Sequence, residues 1–139
     1  MQLVFVDTDV LIDFLTNREP FSSFAAELFS LAEQKEISIY ITSLSFSNAY
    51  YVLRKFGTHE KIISKLKEIR LLTKLLEVNK TSVDLALASN FNDFEDALQY
   101  YSVIQHGKIT TILTKNTKDY RHSDFPVLTP ETYLKSRNT

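Results

Sequence analysis

Short runs of β-branched and apolar residues alternate with segments of helical periodicity along the chain, and this alternation limits the folds open to it. The strongest strand segments are 2–6, 37–42 and 108–114, and weaker ones are predicted at 75–78 and 126–129. Helical segments separate most of these strands, so the strands should run parallel with helices on both faces. The pattern therefore predicts an α/β fold, a three-layer α/β/α arrangement with a mostly parallel sheet of four to five strands.

The helices are predicted from the spacing of apolar residues and from residues that start or stop helices. With 139 residues, of which 44% are hydrophobic, the chain suits one domain over residues 1–139. Helices are expected at 10–15, from Phe21 to Ala32, from Ser43 or Ser45 to a stop at Gly57, over 58–73, over about 82–89, from Asp93 to a stop at Gly107, and from Pro130 onward.

Composition excludes several classes of protein and site. The chain has no cysteine, so neither disulfides nor thiolate metal sites are available, and its two glycines cannot form a glycine-rich phosphate loop. There is no secretory signal pattern and no apolar stretch near the roughly 20 residues that span a bilayer. We expect a soluble cytoplasmic protein without a membrane partner.

The net charge of −1 hides a strong segregation of charge along the chain. Residues 1–53 hold two basic and seven acidic residues, whereas residues 54–74 hold seven basic and two acidic residues. An acidic centre with a basic rim would suit a metal-bound phosphate backbone. A solvated lysine face on the helix over 58–73 explains the basic segment equally well.

Polar and acidic residues follow two of the strong strands at the point where each strand ends. In parallel sheets, ligand sites lie beyond the carboxyl ends of the strands. This rule selects Asp7 and Asp9 after the first strand, and Thr114, Lys115, Asn116 and, just beyond them, Asp119 after the strand 108–114.

Each acid also has a simpler explanation when it is taken singly. Asp7 could cap the following helix, Asp96 fits a capping arrangement with Asp93, and Asp119 could start a turn. Taken together, acids from distant segments that meet at one sheet edge repel one another unless a cation is present. Oxygen ligands without cysteine favour Mg²⁺ or Mn²⁺, which supports metal-assisted phosphodiester hydrolysis.

Four segments, in this order, resemble a known family: "VFVDTDVLIDFL", "YITSLSFSNAYYVLRK", "FNDFEDALQYYSVI" and "ILTKNTKDYRHSDFPVLTPETYL". Over nearly the whole chain they are similar to the PIN-domain ribonucleases, especially the VapC-like toxins of type II toxin–antitoxin pairs. The resemblance implies a parallel sheet between helices, Mg²⁺ or Mn²⁺ at a cluster of acids, and RNA as substrate. Members of this family are often homodimers whose activity an antitoxin protein blocks, and the resemblance implies the same partners here.

The resemblance assigns roles to individual residues. Asp7, Asp96 and Asp119 match family acids and become the metal ligands, with Asp9 and Asp93 as possible additional ones. Thr114, Asn116 and Asn48 would hold the waters of the ion, which completes a catalytic set of Asp7, Asp96, Asp119, Asn116, Thr114 and Asn48. Lys115 and Lys118 are the candidates for contacting the RNA backbone.

The largest departure from the family pattern is Asn48, which stands where most members carry a glutamate. Asparagine can coordinate through its carbonyl oxygen but adds no negative charge. A weakened or inactive module that binds RNA or protein is therefore an alternative function. A second alternative is a haloacid-dehalogenase-like phosphatase, suggested by Asp7 and Asp9, although Val10 stands where that class usually has glycine.

Overall fold

The computed structural model describes residues 1–138, and its strands form one sheet of five parallel strands. This confirms the predicted three-layer α/β/α class with a mostly parallel sheet. The strands are Gln2–Val6 (β1), Ile37–Thr42 (β2), Lys74–Leu76 (β3), Thr111–Leu113 (β4) and Val127–Leu128 (β5). Their order across the sheet is β3-β2-β1-β4-β5.

The described part of the chain forms seven α-helices and one short 3-10 helix. The α-helices are Thr8–Leu15 (α1), Phe21–Glu33 (α2), Ser43–Leu53 (α3), His59–Leu72 (α4), Lys80–Leu87 (α5), Phe94–His106 (α6) and Pro130–Arg137 (α7), and the 3-10 helix is Thr117–Tyr120. None of these helices combines the length and the apolar character that crossing a bilayer requires.

Successive side chains of β1 point to opposite faces of the sheet, and each face carries its own part of the hydrophobic core. Val4 and Val6 point to one face, where they pack in a cluster with residues of α1, α2, α3, α4 and α7. Phe5 points to the other face and packs with Ile112 and with Tyr100 of α6. Because helices cover both faces, the strands can be apolar along their whole length.

The strand order places a topological switch point between β1 and β4. From β1 the chain first moves through β2 to β3 on one side, and later returns to place β4 and β5 on the other side. Crevices at such points are the usual ligand sites of open α/β sheets. The residues that follow these two strands are Asp7 and Thr114, and the Asp7 N–H donates to Leu113 O at 2.9 Å.

Three predicted strands are shorter in the structure, and one of them, 126–129, is reduced to β5. In the other two, strand length depends on the available partner. The predicted strand 75–78 is β3, which pairs only as far as Leu76, opposite Thr42, where β2 ends and α3 begins. The predicted strand 108–114 is confined to β4, whose register with β1 runs from Val4 to Val6.

Three helix starts also differ from prediction because an earlier residue provides the cap. The helix predicted at 10–15 begins at Thr8, after its cap Asp7. Thr42, rather than Ser43 or Ser45, caps α3 through a hydrogen bond to the Ser45 N–H. Asn79 caps α5 in a reciprocal capping box with Ser82, so this helix begins before the predicted position 82. The predicted start of α6 after Asp93 and its end at Gly107, which has a left-handed φ of 82°, are confirmed.

Candidate active site

Asp7 lies at the centre of the candidate site and is almost completely buried. Its Oδ1 accepts hydrogen bonds from the Thr8 N–H and from Gln99 Nε2, each at 2.8 Å. Its Oδ2 accepts from Thr114 Oγ1, also at 2.8 Å. Burial raises the pKa of Asp7, while the bonds from Gln99, Thr114 and Thr8 oppose that shift. The predicted capping role is thus present, together with contacts that a helix cap does not need.

Gln99 orients Asp7 from the middle of α6, where it is fully buried. Thr42 Oγ1 accepts the hydrogen bond from Ser45 N that caps α3. The Thr42 hydroxyl donates its own proton to Gln99 Oε1, 2.9 Å away. The side-chain oxygen of Gln99 therefore faces the Thr42 hydroxyl, and its Nε2 faces Asp7. The same Nε2 lies 3.4 Å from the hydroxyl of Tyr120. One amide therefore links the ends of β1 and β2 to α6 and the 3-10 helix.

Asp9 is held by the segment that follows β4. Its Oδ2 accepts from the Lys115 N–H at 3.1 Å and from Asn116 Nδ2 at 3.3 Å, and lies 3.3 Å from Thr114 Oγ1, whose proton is donated to Asp7. Its Oδ1 is buried without a hydrogen-bond partner. Burial first, and then the charge of Asp7, raise the pKa of Asp9 to about 7. A buried, unpartnered carboxylate oxygen next to a second acid is a position that a cation would stabilise.

Asp96 faces the same crevice from the first turn of α6. The Tyr120 hydroxyl donates to its Oδ1 at 3.4 Å. Burial, followed by the charge of Asp7, raises the pKa of Asp96 to about 8, and the exposed Asp119 adds to the shift. Helix capping explains the backbone at this position, because Asp96 N donates to Asp93 Oδ1 at 2.9 Å. The Asp96 carboxylate itself is not used in that cap.

Asn48 contacts a carboxylate that the sequence analysis did not select. Its Nδ2 donates to Glu95 Oε1 at 2.7 Å, and Thr8 Oγ1 lies 3.4 Å from the same oxygen. Burial raises the pKa of Glu95, and the charge of Asp7 contributes to that shift. The site therefore includes an acid next to the helix position where the family resemblance leads one to expect a glutamate.

The two lysines predicted to contact RNA differ in their surroundings. Lys115 Nζ lies 2.6 Å from Oδ2 of the buried Asp13 and 4.2 Å from the centre of the Phe21 ring. Its ammonium group is therefore already paired within the protein. Lys118 is exposed on the 3-10 helix, beside the site. Of the two, Lys118 is the better placed to meet a phosphate, and both assignments stay predictions.

The residues present fit a divalent ion held by few carboxylates and several waters. Within residues 1–138, no group of three or more histidine or carboxylate side chains is arranged to hold a metal ion. Mg²⁺ is often bound by one or two carboxylates and keeps several waters, and every candidate donor here is an oxygen. The unpartnered Oδ1 of Asp9 provides a free ligand atom beside Asp7. A joint role for Asp7, Asp96 and Asp119 then requires waters between them and the ion.

Most of the predicted site residues lie around this crevice, and three residues of the site were not predicted. Thr114 and Asn116 contact Asp7 or Asp9, whereas Asp93 is exposed and caps α6. The site residues that were not predicted lie on the polar face of α6 or contact that face. They are Glu95, Gln99 and Tyr120. Glutamine at position 99, within the buried apolar stretch of α6, was the available signal, because it lies three and four residues after Asp96 and Glu95.

Replacing Gln99 with methionine is expected to lower the free energy of unfolding by about 2–3 kcal/mol. The change keeps the size of the side chain but leaves the hydroxyl of Thr42 and the Oδ1 of Asp7 with fewer partners. Urea denaturation measures the loss. The control is Gln34→Met at the end of α2, where the exposed amide has one side-chain contact, 3.3 Å to Ser30 Oγ, and the expected change is below about 1 kcal/mol. Equal effects of both changes would contradict the central role of Gln99.

The fold and the acidic switch-point crevice together define an α/β protein of the PIN class. The family model of the PIN domain matches residues 3–118, which is more than half of the chain. The protein therefore belongs to the PIN domain family, as the sequence resemblance indicated. No match was found among curated protein sequences.

Three solved structures share this fold at low sequence identity. VapBC2 from Rickettsia felis, bound to a promoter DNA fragment, has a TM-score of 0.63 and 16% identity, over 91% of this chain and 97% of that one. A toxin–antitoxin complex from Klebsiella pneumoniae has a TM-score of 0.66 and 17% identity, over 91% and 97%. FitAB bound to the IR36 DNA fragment has a TM-score of 0.66 and 17% identity, over 91% and 94%. These similarities support the fold.

Proposed function

We propose that this protein is an endoribonuclease that uses Mg²⁺ or Mn²⁺ to hydrolyse RNA phosphodiester bonds. The observation that carries the proposal is the meeting of Asp7, Asp9 and Asp96 at the switch point of a PIN domain. Burial raises the pKa of each of these acids, and the charge of Asp7 raises the pKa of Asp9 and of Asp96 further. A bound divalent ion would remove that repulsion and, once bound, could activate a water and neutralise charge on a phosphate.

The chain's own residues would orient the acids and the substrate. Thr114 and Gln99 fix the two oxygens of Asp7, and the Lys115 N–H fixes one oxygen of Asp9. The second oxygen of Asp9 stays available to the ion. The Tyr120 hydroxyl donates to Asp96 Oδ1 at 3.4 Å. Lys118 would attract the RNA backbone, because exposed cations next to such a site increase phosphate binding.

We propose further that the protein acts as the toxin of a toxin–antitoxin pair in the cytoplasm. In support, the similar structures include a toxin–antitoxin complex, VapBC2 and FitAB. An antitoxin protein would bind this chain and block RNA cleavage. A homodimer is also proposed, with the exposed Tyr51 as part of its contact surface. Sedimentation of the purified protein, alone and with the product of an adjacent reading frame, would measure both associations.

The alternative of a haloacid-dehalogenase-like phosphatase is disfavoured, because the chain matches the PIN domain over residues 3–118. The alternative of a binding module without activity relied on the missing charge at Asn48. That argument is weakened because Asn48 holds the carboxylate of Glu95 at 2.7 Å.

Metal dependence of RNA cleavage provides the test of the proposed function. Labelled single-stranded RNA incubated with the protein should be cut in the presence of Mg²⁺ or Mn²⁺ and left intact in EDTA. Restoring the divalent ion should restore cleavage. Cleavage that persists unchanged in EDTA would contradict a metal-dependent reaction, and binding of RNA without cleavage at any divalent ion concentration would favour the binding module.

A further inference from the structure

Glu95 occupies a position that the proposed nuclease reaction does not yet explain. It lies in the first turn of α6, directly before Asp96, and is partly buried. Its Oε1 accepts a hydrogen bond from Asn48 of α3 at 2.7 Å. The hydroxyl of Thr8, the residue after Asp7, lies 3.4 Å from the same oxygen. These contacts hold the side chain between α3 and the crevice, although an acid in a first helical turn could extend into water.

We propose that Glu95 supplies from α6 the fourth carboxylate of the metal site, at the place where α3 carries the neutral Asn48. This inference rests on the proposed function and adds a ligating residue to it. Since no three carboxylates of residues 1–138 are arranged to hold one ion directly, Glu95 would bind a water of the ion, beside Asp7 and Asp96. Asn48 then acts as a positioning residue that directs the Glu95 carboxylate.

The chemistry of the pair explains why the acid and the amide belong together. The Nδ2 group of asparagine is only a donor, so it satisfies one oxygen of a carboxylate and leaves the other oxygen for an ion. A second carboxylate at position 48 would instead repel Glu95 at this short distance. One of the two positions can therefore carry a carboxylate while the other carries a neutral amide, and either helix can provide the carboxylate. In this chain that charge is on α6.

Helix capping does not account for the contact. Asp93 already provides the cap of α6, through its bond to Asp96 N. An acid in the first turn interacts favourably with the helix dipole wherever its side chain points, so the dipole does not require a bond to α3. Contact with Asn48 and Thr8 instead directs the carboxylate towards the residue that follows Asp7.

Mn²⁺ binding, followed by the electron paramagnetic resonance signal of the free ion, tests the inference on the full chain. Glu95→Gln should raise the dissociation constant by about 10- to 100-fold. Its amide oxygen can still accept from Asn48, so the fold should be kept, which a urea denaturation curve would check. The matched control is Glu60→Gln, an exposed acid in the first turn of α4, which should keep the affinity of the unmodified protein.

An exchange variant tests whether a carboxylate at position 48 can replace the carboxylate of Glu95 at the metal site. In N48E/E95Q the amide and the carboxylate change helices, and the hydrogen bond between them can form in the opposite direction. We expect the dissociation constant for Mn²⁺ to return to within about threefold of the starting value, since the charge is restored. Loss of affinity in E95Q without recovery in the exchange variant would overturn the shared role of the two positions.

The outcomes also separate this inference from the proposed function. If the unmodified protein binds Mn²⁺ and cleaves RNA, while E95Q has the same Mn²⁺ affinity, the inference fails and the nuclease function stands. If the unmodified protein neither binds Mn²⁺ nor cleaves RNA, the proposed function fails and the inference fails with it.

Discussion

Replacing Asp7 with asparagine is expected to lower RNA cleavage by about 100-fold or more without unfolding the protein. Asp7 is the acid that contacts Thr8, Gln99 and Thr114 at the switch point, so the proposed reaction depends on its charge. Cleavage of labelled RNA at saturating Mn²⁺ measures the loss. A cleavage rate that stays within threefold of the original would contradict the proposed site.

The fold should tolerate this change because each hydrogen bond has a replacement. The new amide oxygen can accept from Thr8 N and Gln99 Nε2. The new amide nitrogen can donate to Thr114 Oγ1, whose proton can then turn to Asp9 Oδ2, 3.3 Å away. Loss of a buried charge beside Asp9 should also relieve repulsion. The control is Asp84→Asn, the same chemical change at an exposed position on α5, which should leave cleavage unaffected.

The stability of the metal-free protein is expected to fall as the pH rises from about 5 to about 8. The pKa values of Asp9 and Asp96 are about 7 and about 8 in the folded protein, against 3.8 for an ordinary aspartate. Between these values the folded state binds more protons than the unfolded state, so raising the pH favours unfolding. Both groups are partly exposed, and solvent screening reduces the combined effect to about 1–2 kcal/mol. The melting temperature should drop by roughly 5 °C.

Thermal unfolding at several pH values, in EDTA and in Mn²⁺, measures this effect. Mn²⁺ should raise the melting temperature at pH 8, where Asp9 is largely ionised and Asp96 about half ionised, and have little effect at pH 5, where both are protonated. Asp96→Asn should flatten the pH dependence in EDTA, because it removes the group with the highest of these pKa values. A melting temperature that rises from pH 5 to pH 8 in EDTA would be the opposite of the expected sign.

The sequence alone could predict where the candidate site lies, because ligand sites of open parallel α/β sheets share one location. Asp7 and Thr114 each come directly after a strongly apolar strand, and the carboxyl ends of parallel strands share an edge. The strand order did not follow from local patterns. That β1 lies between β2 and β4 is decided by packing of the helices against both faces, which involves residues far apart in the chain. Without that order the sequence could not place the switch point.

The finer contacts of the site were beyond prediction for a different reason. Asp119, Asn116 and Lys115 were selected by position, but Lys115 pairs with Asp13, an acid that lies on α1 and is almost completely buried. The contact between Asn48 on α3 and Glu95 on α6 joins residues that are 47 positions apart in the chain. Such pairs depend on the angle and separation of helices, which local periodicity does not encode.

Anomalous diffraction from crystals grown with Mn²⁺ near pH 8 tests the central claim most directly. The account predicts one strong manganese peak in the crevice between the ends of β1 and β4, within coordination distance of Asp7 or Asp9 and near Asp96. Glu95 should contact a water bound to the ion. A crevice without manganese at a saturating concentration, or a peak only at unrelated surface acids, would contradict the claim that a divalent cation draws these carboxylates together.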